Sequence, residues 1–75
     1  MKDTLKKILI EMLKHTYPMI KNVILIENEY DKNAFICFLN INYGDFLKIG
    51  EENIINYVSD IASYMGVELE TVSFY

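Results

Sequence analysis

The chain predicts an α+β fold in two layers, αββ(α)αβ, with a three-stranded sheet and two main helices packed on one of its faces. Three observations predict it. Apolar residues recur at helical spacing over 5–16 and again over 54–65. Short strand-like runs occupy 21–29, 34–43 and 67–75, and Pro18, Gly44, Gly50 and Gly66 punctuate the boundaries. A length of 75 residues holds one domain, 1–75, and leaves no room for a second core.

In the first helix Leu5, Ile8, Leu9, Met12, Leu13 and Thr16 form one stripe, with Lys6, Lys7, Glu11 and Lys14 on the other side. Asp3 suits the N-cap, Lys14 and His15 suit the negative C-terminal end, and Pro18 forces Tyr17 out of helical geometry. The helix therefore spans residues 3–16. Val23-Ile24-Leu25-Ile26 is a continuous apolar run, which predicts a strand covered on both faces and hence central in the sheet. Tyr30-Asp31-Lys32-Asn33 is turn chemistry, so 21–29 and 34–43 form a hairpin. Alternation places Phe35, Cys37, Leu39, Ile41 and Tyr43 on the core face of the second strand. It places Ala34, Ile36, Phe38, Asn40 and Asn42 on the other, which leaves Ile36 and Phe38 on an open sheet face.

Gly44 ends that strand, and residues 45–49 form a short helical turn before Gly50. The second long helix has Glu51 and Glu52 in its first turn and Ile54, Ile55, Val58, Ile61, Ala62 and Met65 on its apolar stripe. Gly66 supplies the left-handed residue that ends it. In the final strand Val67 and Leu69 alternate with Glu68 and Glu70, and the alternation blurs at Thr71-Val72, where a bulge fits. A helical connection from the second strand to the third makes a split βαβ arrangement.

Composition narrows the function classes. The net charge is −4 and arginine is absent, which removes the usual bidentate clamp for phosphate or carboxylate. Residues 1–21 carry a net +3 and residues 22–75 a net −7, so the charge is unevenly divided along the chain. The overall acidity opposes non-specific nucleic-acid binding, and an acidic face suits a basic protein surface. A single cysteine, Cys37, has no intramolecular disulfide partner and predicts a reducing compartment. The start of the chain does not read as a signal peptide and no run reaches the ~20 apolar residues of a membrane span, so the expected location is cytoplasmic, with no membrane partner.

Lys48-Ile49-Gly50, the opening helix that ends near His15 and the hairpin through 21–43 together resemble a small single-domain bacterial (type II) KH protein, along nearly the whole chain. That resemblance implies single-stranded RNA or DNA held at a G-x-x-G turn between two helices. Here the turn is Gly50-Glu51-Glu52-Asn53: it matches at its first glycine and carries two acids where the family commonly carries a base. On this reading Lys48, Gly50 and Asn53, with Lys6, Lys7 and Lys14 of the first helix, contact RNA.

His15 lacks a cysteine at metal-ligand spacing and reads as a surface histidine that compensates the helix dipole. Cys37 lies on an apolar strand face with no adjacent base and reads as an inert core thiol. Glu27 and Glu29 share one strand face, as do Glu68 and Glu70. If the first and third strands are neighbours, four carboxylates converge, as a cation site or as a mimic of phosphates towards a basic partner. A solvated, charge-guarded sheet edge is the plainer outcome. Phe38 with Phe74 or Tyr75 is a candidate base-stacking platform, against which core packing or a protein interface weighs more.

No Ser–His–Asp set, phosphate loop or dinucleotide fingerprint is present, so no catalytic residue, cofactor or metal is expected. The leading expectation is a small non-enzymatic module that binds protein through Ile36, Phe38, Glu27, Glu29, Glu68 and Glu70. Such a module acts as a regulator or inhibitor of the kind viruses and mobile elements encode, with a homodimer as a further arrangement. RNA binding is the disfavoured alternative.

Overall fold

The computed structural model describes residues 3–31 and 33–75. The predicted turn includes Lys32 and the basic segment includes Lys2; both lie outside the described residues. The elements run α1 Asp3–Thr16, β1 Asn22–Glu27, β2 Ala34–Asn40, α2 Tyr43–Ile49, α3 Glu51–Met65 and β3 Glu68–Phe74. This is an α+β fold, with the helices packed against a three-stranded mixed sheet.

Local chemistry explains the boundaries. After α1 the chain turns through Tyr17–Ile20, where the Ile20 amide donates to the Tyr17 carbonyl at 3.0 Å. Asn42 caps α2, its side chain accepting from the Gly44 amide at 2.8 Å. Gly50 alone separates α2 from α3: it adopts φ +93° and ψ 130°, and its amide donates to the Phe46 carbonyl at 2.9 Å. Gly66 ends α3 in the left-handed region at φ +74°.

The sheet order is β1-β2-β3, with β1 antiparallel to β2 and β2 parallel to β3. Two expectations are corrected by this order. The apolar run Val23–Ile26 forms an edge strand, and β2 takes the centre; Ile24 is 42% and Ile26 48% exposed. Continuous apolarity therefore reflects one buried face and one uncovered face. Because β2 and β3 are direct neighbours, the α2–α3 connection is an unsplit βαβ crossover, with no strand inserted between the parallel pair. A bulge is present one residue before the expected Thr71-Val72: Phe35 pairs with Leu69 and Ile36 with Thr71, which leaves Glu70 as the extra residue.

The core lies between sheet and helices. Leu9 and Leu13 of α1, Phe35, Cys37 and Leu39 of β2, and Ile54 and Val58 of α3 are fully buried there. Tyr43 is corrected as well: it opens α2 and is exposed, because the strand ends at Asn40 and strand alternation no longer directs its ring inward.

Candidate functional site

The open face of the sheet is built by alternation. Inward-facing Val23, Leu39, Cys37 and Phe35 direct Ile24, Ile26, Ile36 and Phe38 to the opposite side. Ile24 stands beside Phe38 and Ile26 beside Ile36 across the β1–β2 ladder. None of the four belongs to the buried core. On β3 the bulge keeps Leu69 and Val72 on the core side, and the neighbours of Ile36 and Phe38 are Thr71 and Ser73. The result is an uncharged patch, apolar over β1 and β2 and hydroxyl-bearing over β3. Ile36 and Phe38 are thus brought together as the sequence predicts, and Ile24 and Ile26 join them.

The carboxylates take a different arrangement. Strands β1 and β3 are separated by β2, so the condition for Glu27, Glu29, Glu68 and Glu70 to converge on adjacent strands fails. Among the described residues no group of three or more acidic, histidine or cysteine side chains is placed to hold a metal. Glu27 pairs in register with Phe35 and reaches the helix side, where its carboxylate meets the Lys6 ammonium at 3.2 Å. Glu70 accepts a hydrogen bond from the Asn28 side-chain amide, and Glu29 and Glu68 are exposed. All four lie at the hairpin end of the sheet; Glu27 is turned to the helix side, and Glu29, Glu68 and Glu70 are the acidic residues beside the apolar patch.

The predicted stacking platform is not assembled. Phe74 pairs with Leu39 and faces the core side, opposite Phe38; its ring meets Phe46 edge-on, with centroids 4.8 Å apart. There Ile41, Tyr43, Phe46, Phe74 and Tyr75 line a cleft of about 280 Å³ at the other end of the sheet.

The residues of the RNA reading are distributed over three helices. Lys7 and Lys14 are exposed on α1, and Lys48 is exposed in the last turn of α2. Lys6 is engaged by Glu27. The Gly50-Glu51-Glu52-Asn53 segment forms no four-residue loop, since α3 begins at Glu51. Among the described residues no non-glycine residue has positive φ, so Asn53 is helical; its amide donates to the Ile49 carbonyl at 2.7 Å, tying α3 to the end of α2. His15 is exposed at the end of α1. Cys37 is fully buried, and desolvation pushes its thiol from the ordinary 9.0 up to about 12, which suits an inert core thiol.

One surface was not legible as a site in the sequence. Leu5, Ile8 and Met12 of α1 and Ile61, Tyr64 and Met65 of α3 line a groove of about 560 Å³, with Asp60 at its edge. Several of these residues lie on the predicted core stripes, yet Ile8 is 39% and Met12 41% exposed. The signal was the width of the α1 stripe: Leu5, Ile8, Leu9, Met12 and Leu13 cover more arc than one contact buries. No protein-family model, curated protein or solved structure matches the chain.

Proposed function

We propose that the chain is a non-enzymatic protein-binding module, a regulator or inhibitor, that engages its partner through the open sheet face and the adjoining acidic rim. The observation that carries this reading is the exposure of Ile24 and Ile26 beside Ile36 and Phe38, a neighbouring apolar group on the surface of a 75-residue chain. A docked partner removes that apolar surface from water at about 25 cal/mol per Å². Glu29 and Glu68 at the rim favour a partner with basic residues around an apolar centre.

The alternative, KH-like binding of single-stranded RNA, draws support from the αββααβ order and from the helix–glycine–helix joint at Gly50. Electrostatics weighs against it. The free amides and dipole at the start of α3 are an anion site in general, but Glu51 and Glu52 already place negative charge there. The side chain of Asn53 is committed to Ile49.

Affinity capture with the purified protein, with and without nuclease, separates the two. The expected outcome is a nuclease-resistant protein partner that is lost with Ile26→Asp and retained with Lys48→Glu. Recovery of RNA that disappears with nuclease, falls steeply with salt and is weakened by Lys48→Glu overturns the protein-binding reading.

A further inference from the structure

The two edges of the sheet are guarded unequally. Strand β3 carries Glu68 and Glu70 and is broken by its bulge, devices that keep a foreign strand from pairing. Strand β1 pairs with β2 in unbroken register from Asn22 to Glu27 and carries no charge, proline or glycine before Glu27, whose carboxylate is paired with Lys6. We infer that this open edge is closed by the β1 strand of a second copy, antiparallel about a twofold axis, which joins two three-stranded sheets into one.

The hydrogen bonds show which backbone groups face the edge. The Asn28 amide donates to the carbonyl of Ala34, the residue opposite it, at 3.0 Å. Hydrogen-bonded pairs alternate along an antiparallel ladder. Asn22, Ile24 and Ile26 therefore exchange bonds with β2, and Val23 and Leu25 turn their N–H and C=O groups outward. The far side of β2 agrees, since Asn33, Leu39 and Ile41 bond to residues at the two ends of β3. Among the described residues, no backbone group beyond the sheet bonds to Val23 or Leu25. The edge thus presents donors and acceptors in the alternating pattern that another strand matches.

Closure and charge select a second copy as that strand. Pairing β1 with β3 of another copy would propagate into a filament, and the carboxylates and bulge of β3 oppose it. Pairing β1 with β1 uses both open edges and stops at two. Strand β1 is flanked by Lys21 on one side and Glu29 on the other, both exposed and neither in an ion pair among the described residues. A parallel alignment would place like charges together. The antiparallel one, centred on Leu25 against Leu25, sets Lys21 against Glu29 at both ends while Lys6 stays with Glu27. The same register opposes Ile24 to Ile26 on the open face and brings the two partly buried Leu25 side chains together on the helix side. The pairing is independent of the partner assigned to the open face.

Sedimentation and hydrogen exchange of the purified chain test it. The expected mass at about 0.5 mM is twice the 8.8 kDa of one chain. In that dimer the Val23 and Leu25 amides exchange as slowly as those of Ile24 and Ile26; in a single chain they exchange roughly tenfold faster or more. Ile24→Lys with Ile26→Lys sets lysine against lysine across the new ladder and returns the mass to one chain. Ile24→Lys with Ile26→Glu sets unlike charges there and keeps the dimer. Both pairs retain the far-UV circular dichroism of the parent, because these side chains are 42% and 48% exposed. A single-chain mass at about 0.5 mM, which leaves the edge to a segment of another protein, overturns the dimer. A dimer that survives the double lysine, or whose Val23 and Leu25 amides exchange freely, overturns the edge as its interface. Loss of the dimer in both paired variants overturns the register centred on Leu25.

Discussion

Substituting Gly50 by alanine isolates the backbone requirement of the joint between α2 and α3. At this position an added Cβ meets the Asn53 amide nitrogen at 3.4 Å, an ordinary contact, so steric overlap is not the issue. The conformation is: φ +93° with ψ 130° lies outside even the left-handed helical region that an L-residue reaches at modest cost. Such backbone strain is worth about 1–3 kcal/mol, and the smaller unfolded-state entropy of alanine returns about 0.4–1 kcal/mol. The net expectation is a loss of about 1.3 kcal/mol. For a chain of this size, with a total stability of about 4–11 kcal/mol, that lowers Tm by roughly 5–10 °C. Gly66 supplies the internal control, because nothing lies within 4 Å of its added Cβ and φ +74° with ψ 25° is true left-handed geometry. Gly66→Ala is expected to lose only about 0.5–1 kcal/mol. Asparagine tolerates the left-handed region, so Gly66→Asn recovers much of that loss while Gly50→Asn does not. Urea unfolding at constant slope measures all four. A Gly50→Ala variant as stable as the parent, or more stable than Gly66→Ala, refutes the reasoning.

Asn53→Ala removes the amide that donates to the Ile49 carbonyl and is expected to lower stability by about 0.5–1.5 kcal/mol, read from the urea midpoint. Leu13→Ala, at a fully buried position, is expected to lose about 2–5 kcal/mol, whereas Ile26→Thr on the open face changes monomer stability by less than ~0.5 kcal/mol. Cys37 should resist alkylation in the native state and react at the rate of unfolding. Its folded value of about 12 exceeds the ordinary 9.0, so the stability it contributes is present below pH 9 and is lost as pH rises from 9 towards 12. The limiting slope is about 1.4 kcal/mol per pH unit, and a denaturation series over that window should be flatter for Cys37→Ala.

Most element boundaries were legible because their causes lie within a few residues of one another. Pro18 and the helical stripe placed α1 at residues 3–16, where it is observed. Gly66 ended α3, and the lost alternation at Thr71-Val72 fell one residue after the bulge that leaves Glu70 unpaired. The open-face position of Ile36 and Phe38 followed from a period of two. The readings that failed depended on partners far away in the chain. The run Val23–Ile26 is compatible with a central strand or with an edge strand having one uncovered face, and its own residues do not distinguish these. Convergence of Glu27 and Glu29 with Glu68 and Glu70 required two strands to be adjacent, and β2 lies between them. The pairing of Phe38 with Phe74 required one register, and the bulge imposes another.

By itself the sequence determined the α+β class, the order of helices and strands, the helix-ending glycine and the acidic first turn of α3, because dihedral preference, capping and periodicity act between near neighbours. Only the tertiary structure decided which strand is central, which apolar side chains remain in water, and that an open sheet face and a helical groove lie on separate surfaces. Those outcomes depend on long-range pairing and on how much of each apolar stripe its neighbours cover, and both arise when the whole chain packs.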